Sequence, residues 1–195
     1  MPTRNLTESQ SARRERMLDA AFDLSVQGGW DAVQMREVAQ RAEVALGTLY
    51  RYFPSKEHLL VSVMLEQVRT LADRLAVNPP RGGDPVERVN DVMRRANRNL
   101  QAQPEVTRAM IRALVAGNTD VAPVVSAVRD EMRRIFVDAL ANGSGAPSIE
   151  GDQMVVVDLL SDVWLAALVS WISGAQPVEH IVTHVAAATE ALLGD

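Results

Sequence analysis

Between Ser55 and Leu75 the apolar residues obey one period only. Leu59, Leu60, Val63, Met64, Val68, Leu71 and Leu75 share one stripe of an α-helix, and Ser55 stands where a helix N-cap is needed. No stretch of the chain alternates apolar and polar residues with the period of two that a half-buried strand requires. A long helix with one apolar stripe is unstable alone, so the rest of the chain must supply helices to cover it. The breaks are easy to find: Gly28-Gly29, NPPRGGDP at 78–85, Pro104, GNTD, NGSGAPSIEG and GAQP. Between them the spacing predicts helices over 10–28, 35–42, 46–53, 56–75, 86–101, 104–116, 121–142, 152–173 and 177–193. The expected fold class is all-α, with about nine helices.

Composition narrows the class further. A hydrophobic share of 47% with 23% charged residues permits a large core. The absence of cysteine excludes disulfides and thiolate metal ligands and fits a reducing compartment. The opening MPTRNLTESQ lacks the apolar core of a secretion signal, so a cytoplasmic location is expected. Residues 154–172, MVVVDLLSDVWLAALVSWI, are long enough to span a bilayer. Asp158 and Asp162, however, fall on one helix face where each carboxylate would be costly in lipid. A buried or subunit-facing helix is therefore expected, with no membrane partner.

Net charge is −5, which does not advertise a nucleic-acid partner. Residues 1–60 carry eight basic and eight acidic side chains, and residues 61–195 carry twelve against seventeen. Any DNA-binding footprint must be local and N-terminal. One stretch fits. Residues 44–56, VALGTLYRYFPSK, hold both tyrosines, one of three phenylalanines and the only lysine. The segment MREVAQRAEVALGTLYRYF, 35–53, reads as two helices joined by a tight turn. Val38, Ala39 and Ala42 form the inner face of the first, and Val44 plugs the turn. Leu49 and Phe53 face inward from the second. At about 100° per residue, Gly47, Thr48 and Arg51 then point away from the core, with Tyr50 and Tyr52 flanking them. A small residue allows close approach, a guanidinium reaches bases or phosphates, and two phenols can clamp the bordering backbones. Lys56, at the start of the next helix, can meet one more phosphate. A purely structural helical hairpin with a solvated charged face is the alternative.

The run GGWDAVQMREVAQRAEVALGTLYRYFPSKEHLL resembles the N-terminal DNA-binding domain of the TetR family of transcriptional regulators over roughly residues 10–65. The resemblance implies a helix-turn-helix domain over 1–55 and a ligand-binding and dimerisation domain over 56–195. It implies a homodimeric repressor of a palindromic double-stranded DNA operator, released by a small effector. By position the DNA-contacting residues are Arg36, Thr48, Tyr50, Arg51, Tyr52 and Lys56, with Gly47 allowing close approach. The chain departs from the common pattern at Val33 and Gln34, and at two further points. Ala45 cannot cap the second helix, and Glu43 stands at a turn position that suits glycine. AVQM, VALGTLYRYFPSK, HLLVS and SDVWLAALVSWI are similar to an actinobacterial branch of the family that controls sterol catabolism. That likeness implies a large apolar effector, with sterol-derived acyl-CoA thioesters as the first class to consider.

The C-terminal helices carry the remaining candidates. Met64, Val68, Met93, Met110, Leu114, Met132 and Phe136 are core filler or, since methionine adapts its shape, the lining of an apolar effector pocket. Trp164 and Trp171, seven apart, line that pocket or the dimer interface; Trp164 is assigned to the first and Trp171 to the second. Helices 152–173 and 177–193 are too apolar for a free surface and are expected to pair with a second copy, through Trp171, Val185, Ala188 and Leu192. Arg94, Arg95 and Arg98 form a solvated face, or contact phosphates if the effector is an acyl-CoA. Enzyme readings are thin. Glu179, His180 and His184 lack the HExxH order and a third metal ligand, and NGSGAP is not a nucleophile elbow. No metal, cofactor or catalytic residue is expected. The competing class is a helical binding module with no DNA-binding role.

Overall fold

The computed structural model describes residues 8–116, 119–141 and 152–194; the whole of NGSGAPSIEG and the GN of GNTD lie outside them. Among the described residues there are nine α-helices and no strand. They are α1 (Glu8–Ala32), α2 (Met35–Arg41), α3 (Leu46–Tyr52), α4 (Lys56–Val77), α5 (Pro85–Ala102), α6 (Pro104–Val115), α7 (Ala122–Ala141), α8 (Asp152–Ile172) and α9 (Glu179–Leu193), with a 3-10 turn at Thr119–Val121. The chain divides into two compact units: Met1–Met64 with Glu105–Val125, and Leu65–Pro104 with Ser126–Asp195.

In the first unit, α1 loses helical geometry at Gly28 and at Gly29, whose φ is +60°. A side chain at Gly29 would be strained there and would also crowd Glu105, whose Oε2 lies 3.1 Å from where its Cβ would be. The α2–α3 turn is a Schellman motif. The amide of Val44 donates to Ala39 and that of Glu43 to Gln40, at 2.9 and 3.1 Å. Glu43 occupies the left-handed position with φ of +55°, where glycine costs less. Ala45 is the N-cap of α3 and offers no side-chain cap, as the sequence implied. Ser55 does cap α4: its Oγ accepts from the His58 amide at 3.0 Å and donates to Asp120 at 2.7 Å.

The second unit is built on α5 and the hairpin of α8 and α9, with α9 packed against both. Asp84 caps α5, accepting from the Glu87 amide at 2.8 Å, and Pro85 fills the first turn. Helix α8 ends in a second Schellman motif, and here glycine does hold the left-handed position, Gly174 at φ +77°. Over Met154–Ile172 this helix is long and apolar enough to cross a membrane, with a mean hydropathy of 1.9. The two acids within that stretch are paired, Asp158 with Arg133 at 2.6 Å and Asp162 with Arg129 at 3.3 Å. The i, i+4 carboxylates of α8 thus meet i, i+4 guanidiniums of α7, so the acidic face is a contact between helices. Only 22% of the apolar stretch is buried within the chain.

Candidate nucleic-acid interface and effector region

Helix α3 has one buried and one open side. Leu49 is fully buried and Phe53, at the C-cap, is 1% exposed. Gly47, Tyr50 and Arg51 are exposed, and Thr48 and Tyr52 are half-buried. Arg36 is exposed in the first turn of α2, which packs against both α1 and α3. The seven proposed DNA contacts therefore lie on or beside one helix pair. A Cβ at Gly47 would meet nothing within 4 Å. The fold does not require glycine there, yet glycine weakens a helix by about 0.5–1 kcal/mol relative to alanine. Gly47→Ala is expected to raise the melting temperature slightly while lowering operator affinity, measured by thermal unfolding and an equilibrium DNA titration.

Lys56 is held more firmly than its sequence position foretold. Its Nζ donates to the carbonyl of Trp30 and lies 4.2 Å from the centroid of the Trp30 ring, with the Arg112 guanidinium 4.5 Å from the same ring. Burial lowers its pKa against the pull of Asp31, and Arg112 lowers it further. Trp30 thus joins the end of α1 to the starts of α4 and the body of α6. No local pattern marked it, because its partners Lys56 and Arg112 lie 26 and 82 positions further along the chain.

His58, one turn into α4, stands 6.0 Å from the Phe53 ring, and its buried Nδ1 has no hydrogen-bond partner among the described residues. Burial lowers its pKa, with Asp120 opposing and Arg14 assisting. The folded protein therefore keeps His58 neutral where the unfolded chain would bind a proton. Stability on this account is full above the unfolded histidine pKa of about 6.5 and falls as pH drops below it. His58→Gln is expected to flatten that part of the stability–pH curve, read by denaturant unfolding from pH 7.5 to 5.

The effector candidates divide between the two units. Met64 and Met110 are buried and Leu114 half-buried in the first; Val68, Met93, Met132 and Phe136 are buried in the second. Trp164 turns toward α5, donating from Nε1 to Asn97 Oδ1 at 3.2 Å. An indole can only donate, so this bond fixes the Asn97 amide. Its Nδ2 is left buried without an acceptor among the described residues. Sequence reading missed Asn97, since nothing local separates it from Asn90 or Asn99. Of the interface candidates, Trp171, Ala188 and Leu192 are half-buried, and Val185 is fully buried inside the chain itself. Val155 and Leu159 of α8 remain 56% and 44% exposed. His180 and His184 stack at 4.8 Å, but no cluster of three metal-ligating side chains occurs among the described residues.

Comparison with known proteins agrees with this geometry. Residues 17–63 match the family "Bacterial regulatory proteins, tetR family", and residues 82–192 match "Tetracyclin repressor-like, C-terminal domain". The HTH-type transcriptional repressor KstR of Rhodococcus jostii is 40% identical over 189 residues, covering 97% of this chain and 86% of the relative. The KstR of Mycobacterium tuberculosis is 39% identical over 192 residues, covering 97% and 84%. A TetR transcriptional regulator from Rhodococcus sp. RHA1 superposes with a TM-score of 0.84 at 34% identity, over 95% of this chain and 98% of that one. Bacillus subtilis FadR, solved with stearoyl-CoA, shares the fold at a TM-score of 0.66 and 19% identity, over 93% and 98% of the chains. A helix pair with an open outer face, carried by a chain alike from end to end to named repressors, leaves one assignment: the chain belongs to the TetR family and is a DNA-binding transcriptional repressor, not an enzyme.

Proposed function

We propose that the chain acts in the cytoplasm as a homodimer that represses transcription from a palindromic operator and is released by a large, mostly apolar effector. The observation that carries this reading is the division of α3, with Leu49 and Phe53 buried and Gly47, Tyr50 and Arg51 open. The head, residues 1–55, presents Arg36, Gly47, Thr48, Tyr50, Arg51 and Tyr52 to the major groove and its flanking phosphates, with Lys56 at the border. The body, residues 56–195, binds effector and pairs through the little-buried faces of α8 and α9, where Trp171, Ala188 and Leu192 lie.

The effector candidates are Val68, Met93, Met132, Phe136 and Trp164 of the second unit and Met64, Met110 and Leu114 of the first. The KstR relatives and the fold shared with a FadR solved with stearoyl-CoA support a sterol- or acyl-CoA-like ligand. The unpaired Asn97 amide supports one that carries an acceptor oxygen, because a buried donor without a partner costs about 1–3 kcal/mol. Helix α4 begins in the first unit and ends in the second, so ligand bound at Val68 can bias the head through it. A preference of about 3 kcal/mol for the non-binding state lowers operator affinity more than a hundredfold.

The test is operator binding titrated with long-chain acyl-CoAs and sterol-derived acyl-CoA thioesters. Operator affinity that falls with salt, depends on sequence and drops with one of these ligands is the expected result. DNA binding indifferent to sequence would return the chain to the class of helical binding modules. An affinity that no apolar ligand changes would remove the effector.

A further inference from the structure

Lys56, the only lysine in the chain, is held without being neutralised. Asp31 and Glu57 act on it through space, and no carboxylate pairs with it among the described residues. Both groups that hold it belong to Trp30. The backbone carbonyl accepts from Nζ, and the indole centroid lies 4.2 Å from the same atom. An ammonium has three donors, so one is engaged and two remain.

Local structure explains why that carbonyl is free to accept. Trp30 stands in the last turn of α1, just past the break at Gly28 and Gly29. The amide four positions on, that of Gln34, donates to Ala32 instead. A carbonyl left over at a helix C-terminus favours a cation, and here the cation comes from the first residue of α4. The indole also meets α6, whose Arg112 guanidinium lies 4.5 Å from its centroid. All three residues belong to the first unit, and the ring is shared by two cations from two helices.

The arrangement bears on what Lys56 can do at the edge of the head. A lysine free in water gives up rotamer freedom when it takes a phosphate. Lys56 is half-buried and its ammonium is already tied at Trp30, so much of that ordering precedes DNA. Burial, with Arg112, also works against its charge, and a phosphate arriving at the two open donors relieves that cost. We propose that Trp30 is a positioning residue for operator binding: acting through Lys56, it holds the ammonium preorganised for an operator phosphate. The proposal rests on Lys56 being a phosphate contact, as the functional reading has it.

The test is a double-mutant cycle on the intact protein, with a duplex that the wild type selects from a random-sequence pool. Trp30→Leu is expected to weaken binding about tenfold, and Trp30→Phe, which keeps an aromatic face, to recover most of it. Lys56→Gln is expected to weaken binding and to lower the salt slope by about one for each head. In the Lys56→Gln background Trp30→Leu should cost no further affinity, although any loss of melting temperature it causes should persist. Should Trp30→Leu not fold, a fluorinated tryptophan at position 30 keeps the ring's shape, weakens its hold on cations and takes the same place in the cycle. Equal losses in both backgrounds would mean that Trp30 is only a joint between helices, overturning the proposal while Lys56 keeps its phosphate. A Lys56→Gln protein with unchanged affinity and salt slope would remove Lys56 from the interface, and the proposal with it, and leave the contacts of α3 standing.

Discussion

Arg51→Ala is expected to weaken operator binding by about 1–3 kcal/mol, roughly tenfold to a hundredfold, and to leave thermal unfolding nearly unchanged. The guanidinium is exposed on α3, on the side opposite buried Leu49. Leu49→Ala, two residues earlier, is expected to behave in the opposite way. Leu49 is fully buried, and deleting its side chain costs about 2–5 kcal/mol in a unit with little stability to spare. Operator binding should then fail because the head unfolds, and the loss should appear in the melting curve before any DNA is added. Measuring both variants by melting temperature and by operator titration separates surface chemistry from packing. The reverse pattern would mean that α3 is turned over.

Leu192→Arg and Ala188→Arg are expected to produce monomers and to lower operator affinity more than a hundredfold. Both residues are half-buried on α9, and Val155 and Leu159 leave a second apolar strip open on α8. A charge placed in a helical interface has no partner and costs several kcal/mol. A palindromic site needs two recognition helices at one spacing, so loss of pairing removes the gain from tethering the second head. Sedimentation at micromolar concentration, beside the operator titration, checks this. A wild-type protein that sediments as a monomer overturns the interface, whatever the variants do.

Much of the fold was legible because helices are written locally. Ser55 and Asp84 are caps, Gly28-Gly29 and the 78–85 segment are breaks, and the apolar stripes between them name the faces to be buried. The departures that the sequence displayed at Glu43 and Ala45 appear as a left-handed glutamate and an uncapped α3, since each depends on its own residue and its immediate neighbours. The split of α3 into Leu49 against Arg51 follows from the helical period alone.

What stayed hidden was which face meets which. The sequence puts Asp158 and Asp162 on one side of α8, and only packing supplies Arg133 and Arg129 opposite them. It offers Arg94, Arg95 and Arg98 as equivalents, and only packing spends Arg95 on the 78–79 carbonyls while Arg98 stays open. Trp30 with Lys56, and Trp164 with Asn97, belong to the same class. The period of a helix is set by a few consecutive peptide units, so sequence alone determined the helices and their buried stripes. The rotation and crossing of one helix against another are set by the shapes of all the side chains between them, so the partners of each charge and each indole were decided only by the tertiary structure.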